Sequence, residues 1–228
     1  TMKILITGGA GFIGCNLADA CITAGERVTV LDNLSRRGSG ANLQWLRDRH
    51  GEQGFDFVRA DIRDAAAMVE AMRGYEAVYH LAAQTAVTTS VTDPRTDFEI
   101  NALGTFNVLE GVRQSAPDAV IIYSSTNKVY GGMEDAPATE LATRYILPDY
   151  PNGVGEDRPL DFHSPYGCSK GAADQYVRDY SRIFGMNTVV FRQSCIYGQR
   201  QMGVEDQGWV AWFAIAAVTG KSITIYGN

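Results

Sequence analysis

Long apolar runs, paired cysteines and blocks of basic charge are all scarce in this 228-residue chain, and each scarcity removes a class of protein. The most apolar helical stretch, GWVAWFAIAAV from Gly208 to Val218, falls well short of the roughly 20 residues that span a bilayer. It reads as a buried or interface helix, so no membrane partner is expected. TMKILITGG at the start has no basic segment leading into an apolar run and a cleavage site, which predicts no signal peptide and a cytoplasmic protein. The four cysteines, Cys15, Cys21, Cys168 and Cys195, include no CxxC pair. The first two lie on a predicted helix and point away from each other, so reduced thiols are expected. His50, His80 and His163 are not spaced as a metal site, and no metal is expected. A net charge of −6 without a Lys/Arg block argues against a nucleic acid partner, because that binding rests on neutralised phosphates. What remains is a small or acidic ligand held by a local site.

Short β-branched runs alternate with helix-period segments. Strands are predicted at Lys3 to Thr7, Arg27 to Asp32, Phe55 to Arg59, Ala77 to Leu81, Val120 to Ser124 and Asn187 to Arg192. Helices are predicted at Phe12 to Ala24, Ala65 to Met72, Arg95 to Ser115, Pro165 to Phe184 and Gln207 to Val218. Nearly continuous apolar strands, each followed by a helix, indicate a doubly wound α/β fold with a parallel sheet of Rossmann type. Residues 133–164 break the pattern, holding four of the seven prolines and no sustained periodicity. They read as a long loop insertion of the kind that serves as a lid or binding loop. KSITIYGN at the end reads as another strand and turn. The whole chain is expected to be one dinucleotide-binding domain, with a substrate region beginning in 195–228 and continuing past the end of the chain.

The stretch ILITGGAGFIG sets Gly8, Gly11 and Gly14 where the first strand meets the first helix. Glycines there permit a tight turn and a close backbone approach, while the helix start offers N–H donors to a pyrophosphate. Asp32 follows at the end of the second strand, in VTVLDN. A carboxylate there accepts hydrogen bonds from ribose hydroxyls and repels a 2′-phosphate, which favours NAD over NADP. Arg36 and Arg37 pull the other way or simply face solvent. Asp61 and Ile62 flank the adenine, or Asp61 is a plain helix N-cap.

SPYGCSKGAAD supplies Tyr166 and Lys170, four apart and so on one helix face. A tyrosine with a pKa of about 10 is a poor base, but a nearby ammonium and a nicotinamide charge both favour its phenolate. The pair can then exchange a proton with a substrate hydroxyl. YSSTNKVYG, from Tyr123, places hydroxyls, an amide and an ammonium at another strand end. His80 is expected to be a satisfied core or near-cofactor residue, Cys168 a small packing residue, and Gln193 either a sugar contact or a structural amide. Trp209, Trp212 and Phe213 are expected in a core.

TGGAGFIG, LDNLS, ADIRD, HLAAQ, NALGTFNVLE, YSSTNKVYG, YGCSK and FRQSCIYG occur in order along the chain. As a set they resemble the extended short-chain dehydrogenase/reductases, which include nucleotide-sugar epimerases and dehydratases. The resemblance implies Thr126 as hydroxyl partner, Tyr166 as acid and base, and Lys170 as ribose anchor and tuner of Tyr166. It adds Phe12, Ile13, Asn33, Ser35, Leu81, Ala82, Ala83 and Ser124 to the cofactor wall, with Asn101 supporting Lys170 and Phe191 to Ser194 beside the nicotinamide. Asn127 and Lys128 are expected to orient or polarise the sugar beside Thr126 and Gln193, or Lys128 simply faces solvent or a phosphate. Self-association is implied through Arg95 to Ser115 and Pro165 to Phe184.

Within that family, STNKVYG, PLDFHSPYGCSKGAADQYVRDY and GVEDQGWVAWF resemble the branch that epimerises CDP-linked dideoxyhexoses at C2. Dehydratases of the family follow the threonine with Asp-Glu, whereas this chain has Asn127 and Lys128. An amide exchanges no proton near neutral pH, which disfavours elimination. The competing readings are another nucleotide-sugar epimerase, dehydratase or decarboxylase, and a non-catalytic NAD-binding protein.

Overall fold

Six short strands make the main sheet; the apolar central ones, beginning at Lys3, Ala77 and Val120, bury side chains under helices on both faces, whereas the edge strand beginning at Asn187 leaves Val189 and Phe191 exposed. The computed structural model describes residues 1–205 and 207–225. Strands β1 (Lys3–Thr7), β2 (Arg27–Leu31), β3 (Asp56–Val58), β4 (Ala77–His80) and β5 (Val120–Thr126) precede a small antiparallel pair, β6 (Thr139–Glu140) and β7 (Tyr145–Ile146), and then β8 (Asn187–Gln193). All but the small pair form one parallel sheet in the order β3-β2-β1-β4-β5-β8. The direction of winding reverses between β1 and β4, where doubly wound sheets open a crevice at their carboxyl ends. Thr7 pairs with both Leu31 and His80 at that edge, and Thr126 with Gln193 further along.

Side-chain alternation along β1 feeds two cores. Leu5 joins Met68, Val108, Leu109, Val112 and Val177 under helices α3 (Ala65–Ala71), α6 (Gly104–Ser115) and α7 (Ser164–Phe184). Ile4 and Ile6 join Cys15, Ala18, Leu43 and Leu46 under α1 (Phe12–Thr23) and α2 (Ser39–His50). Each such aliphatic side chain contributes roughly 1.5–3 kcal/mol by leaving water.

The structure departs from the sequence expectations in several places. Helix α2 was not predicted, because SGANLQWLRDRH carries only Leu43 and Leu46 as buried aliphatics and its other buried residues are Ser39 and Asn42. Helix α4 (Val87–Thr92) was also unpredicted, being short and rich in threonine. The predicted helix Arg95 to Ser115 is α5 (Pro94–Phe98), a π-helical turn (Glu99–Leu103) and α6 in unbroken succession. Within the 133–164 insertion, Thr139 and Glu140 pair with Ile146 and Tyr145, so the segment is not wholly irregular. Residues 221–225 form no strand, and 226–228 of the predicted strand and turn lie outside the described residues. Helix α8 (Trp209–Thr219) is not buried: among its residues only Ala216 is, and Trp209 is 57% exposed.

Candidate active site

Two cavities open along the carboxyl edge of the sheet and share Tyr166 and Ser124. The first, about 240 Å³, is lined by the glycine loop after β1 together with Asp32, Arg36, Tyr166 and Lys170. Gly8 sits at φ +68, and a Cβ there would lie 2.7 Å from the Ala82 amide nitrogen. The β1 loop and the exit of β4 therefore touch. A Cβ on Gly14 would lie 2.2 Å from the Gly8 carbonyl, which brings the first turn of α1 against the strand. Gly11 caps α1 without a side-chain hydrogen bond, so the first-turn amides remain free to meet an anion.

Asp32 is 9% exposed; its carboxylate accepts from the amides of Ala10 (3.1 Å) and Leu34 (2.8 Å). Burial raises its pKa, and those two amides pull it back down. Asp61 is held by Arg63 and by Asn33 Nδ2 (2.9 Å), and the Arg63 guanidinium keeps its carboxyl well below the usual range. Asp64, not Asp61, caps α3 by accepting from the Ala67 amide. Arg36 donates to the Thr85 hydroxyl (2.8 Å) and to Gln207, spanning the cavity mouth rather than facing solvent freely. The glycine cradle, the acid at the end of β2 and the lysine beyond them suit an elongated dinucleotide.

Tyr166 and Lys170 come from α7, whose start is pinned. The Tyr166 amide donates to the buried Ser90 hydroxyl (3.1 Å), and Ser164, the first helical residue, takes a positive φ of 65°. Burial pushes the Tyr166 phenol up, and a hydrogen bond with Thr126 pulls it back down. Lys170 is 4% exposed, donates from Nζ to the Ser124 carbonyl (2.6 Å) and lies 4.3 Å over the Tyr123 ring. Burial lowers its pKa to about 7, against the pull of Asp174 and Asp97. Beneath them His80 bonds Thr7 through Nδ1 (2.7 Å) and Thr105 through Nε2 (2.9 Å). Thr105 donates onward to the Asn101 carbonyl, so its oxygen accepts and Nε2 carries the ring proton.

The second cavity, about 400 Å³, lies at the ends of β5 and β8. Thr126 ends β5 and accepts from the Lys128 amide (3.2 Å), capping the 3₁₀ turn Asn127–Tyr130. Asn127 and Lys128 are exposed and line the cavity with Thr126, Tyr166 and Gln193. Gln193 accepts a hydrogen bond from the Ser124 hydroxyl (2.8 Å). Glu205 is a carboxylate on this wall.

All the predicted cofactor residues except Asn101 line the first cavity: Gly8, Gly11, Phe12, Ile13, Gly14, Asp32, Asn33, Ser35, Asp61, Ile62, Leu81, Ala82, Ala83, Ser124, Tyr166 and Lys170. Asn101 is 1% exposed and lies behind the wall, bonded to Gln84, Asp97 and Ser169. Gln193 and Ser194 face the second cavity; Arg192 turns inward to grip Asp174 with two nitrogens at 3.0 Å, and Phe191 is 52% exposed. Cys168 is exposed rather than packed. Sequence reasoning missed the segment Arg200 to Gly203, which closes the first cavity and is anchored through Asn16 and Asn42 to the carbonyls of Gln199 and Arg200. Only its position between the last strand and last helix hinted at a loop. It also missed the buried acids Asp97 and Asp174, whose four-residue steps to Asn101 and from Lys170 were the available signal.

Against this geometry, residues 5–228 match the protein family described as GDP-mannose 4,6 dehydratase. The chain is 53% identical over 234 residues to CDP-paratose 2-epimerase of Salmonella typhi, covering 100% of this chain and 68% of that protein. A Thermus thermophilus UDP-glucose 4-epimerase solved with NAD superposes with a TM-score of 0.80 at 34% identity, covering 99% of this chain and 66% of that one. DesIV, a dTDP-glucose 4,6-dehydratase of Streptomyces venezuelae solved with NAD and TYD, gives 0.82 at 27%, covering 100% and 65%. The chain thus spans about two thirds of the length of the relatives it matches. On the family match over residues 5–228 and these identities, the chain belongs to the NAD-dependent epimerase/dehydratase family.

Proposed function

We propose that the protein is a nucleotide-sugar epimerase that inverts C2 of a CDP-linked dideoxyhexose and uses NAD as a recycled cofactor. The observation that carries this reading is the shared position of Tyr166, at the border of a dinucleotide-shaped cavity and of one lined by Thr126, Asn127 and Lys128. Identity of 53% to a CDP-paratose 2-epimerase supports the CDP-sugar and the C2 position. Gly8, Gly11, Phe12, Ile13 and Gly14 would hold the pyrophosphate region, Asp32 with Asn33 and Ser35 the adenosine ribose, and Asp61, Ile62, Leu81, Ala82 and Ala83 the adenine and remaining walls. When bound, NAD supplies reversible hydride acceptance.

Every other step falls to side chains of this chain. Thr126 holds the reacting hydroxyl. Tyr166 takes its proton and later returns it, so no proton is lost over a turnover. Lys170 anchors the second ribose and favours the phenolate by its charge. Asn101 braces the Lys170 helix from behind. Asn127 and Lys128 orient and polarise the sugar, while Gln193, held by Ser124, closes the wall beside it. The amide and ammonium after Thr126 provide no carboxylate for elimination at that strand end. Cys195, Ile196, Gln201 and Gln207 line one or both cavities, which supports a substrate region beginning there. Exposed Phe98, Phe106, Tyr176 and Ile183 on α5, α6 and α7 support self-association through that face.

NMR of the protein incubated with NAD and CDP-paratose in D2O tests the reading. Inversion at C2 with no deuterium there is expected. Deuterium at C2, a dehydrated product or lasting NADH accumulation would overturn it, and NAD binding without turnover would leave a sensor.

A further inference from the structure

Asp97 is a carboxylate of α5 that is 1% exposed. Its Oδ1 accepts from Gln84 Nε2 (2.7 Å) and Asn101 Nδ2 (3.1 Å), and its Oδ2 accepts from the Ser169 hydroxyl (2.5 Å). All three donors are uncharged. The other acid near the site, Asp174, is gripped through both oxygens by the Arg192 guanidinium. Among the described residues Asp97 has no such ion pair. Neutral donors solvate a carboxylate without cancelling its field, and in a buried setting that field reaches the next charges almost unscreened.

Those next charges belong to α7. Ser169, which bonds Asp97, stands between Tyr166 and Lys170 in sequence, and its hydroxyl also lies 3.2 Å from the Tyr166 carbonyl. The carboxylate pushes up both the Tyr166 phenol and the Lys170 ammonium. Of the remaining groups facing Lys170, two carry no negative charge. His80 is held neutral, burial lowering its pKa to about 3, and the Tyr123 phenol is pushed well above its usual range by burial. Asp174 acts on Lys170 in the same direction as Asp97 and more strongly, even while it is paired with Arg192.

We propose that Asp97 is a positioning residue for the Tyr166–Lys170 pair, its carboxylate serving as an unpaired buried counter-charge that acts beside Asp174 on Lys170, with Ser169 as the tether that fixes its distance. The catalytic meaning rests on the acid–base role proposed above for Tyr166. The charge coupling itself does not.

The chain has four lysines, Lys3, Lys128, Lys170 and Lys221, so a ¹³Cε-lysine NMR titration of the full chain gives four signals. Lys170 is the one lost in Lys170→Arg. Asp97→Asn removes the charge but keeps the bonds: Oδ1 still accepts from Gln84 and Asn101, and the new amide donates to Ser169, whose proton turns to the Tyr166 carbonyl. The Lys170 midpoint is expected to fall by about one pH unit, a tenfold loss of proton affinity and the low end of what a near opposite charge contributes. Lys3, Lys128 and Lys221 should not move. A folded Asp97→Asn protein with the Lys170 midpoint unchanged overturns the proposal. Should that variant fail to fold, Ser169→Ala keeps the carboxylate and removes its tether: the Lys170 midpoint must then move, and an unmoved Lys170 overturns the proposal equally. Neither measurement needs turnover, so loss of the proposed epimerase activity with intact coupling would sink that activity alone.

Discussion

The two cavities meet at Tyr166 and differ in what builds them. The dinucleotide cradle is made of main chain in close contact: Gly8 and Gly9 amides bond the Leu31 carbonyl, and the loop touches Ala82 so tightly that a single methyl would not fit. The second cavity is lined at the ends of β5 and β8 and in the loop before α8, by buried Thr126 and Tyr166 together with exposed Asn127, Lys128 and Ser194. A cradle of that kind fixes one ligand, because altering it moves the sheet. A wall of side chains can be rewritten residue by residue while the sheet stays put, which is how one family can hold epimerases and dehydratases on one scaffold.

Tyr166→Phe separates the two regions most sharply. Turnover should fall roughly 10²- to 10⁴-fold, the usual worth of a positioned acid–base group. NAD affinity, measured by calorimetry, should change little, because the phenylalanine ring keeps the shared wall. Equal losses of both would mean that the phenol holds cofactor rather than moving protons.

Lys170 gives the next effect. The unfolded chain keeps its lysine proton to a pH of about 10.4, whereas the folded chain releases it near 7. Between those values the unfolded state binds more protons, so this group makes stability rise with pH. Its contribution is best above about 10.4 and is lost as the pH falls through about 7, at no more than roughly 1.4 kcal/mol per pH unit. Urea unfolding of wild type and Lys170→Met across this window should show the slope only in the former.

The contrast between the regions also decides what the sequence made legible. Cradle residues were readable because glycine spacing, a strand end and a following acid are local signals, and Gly8, Gly14 and Asp32 stand where those signals predict. The sheet was readable for the same reason: β1, β2, β4 and β5 are continuous apolar runs. Helix α2 was not, since Ser39 and Asn42 bury polar groups on the face that packs. Asp97 and Asp174 were missed because the four-residue steps to Asn101 and from Lys170 are weak signals, while Ser169 and Arg192, their other partners, lie 72 and 18 residues away. The Arg200 to Gly203 closure depends on asparagines near both helices α1 and α2, another pairing that only folding creates.

Gly14→Ala probes the cradle alone. Its Cβ would press on the Gly8 carbonyl at 2.2 Å, and main chain rather than a flexible side chain must yield. Overpacking of this kind costs about 1–3 kcal/mol, so the melting temperature and NAD affinity should fall together. If both stayed at wild-type values, α1 would have to be free to shift, and the rigid-cradle picture would fail.

Lys128→Met is the smallest change and bears on the other wall. Lys128 is exposed at a turn whose geometry is fixed by its amide, not its ammonium, because the cap runs from the Lys128 N–H to Thr126. Losing the ammonium should therefore leave fold and NAD binding untouched. An exposed charge-assisted contact contributes about 0.5–1.5 kcal/mol, so KM for the nucleotide sugar should rise about three- to tenfold. If Lys128 polarises the reacting sugar, kcat should fall as well, because a polarising charge acts more strongly on the transition state than on the bound sugar. A change in KM alone would assign Lys128 to uniform binding, while an unchanged KM and kcat would remove it from the site and leave Thr126, Asn127 and Gln193 to read the sugar.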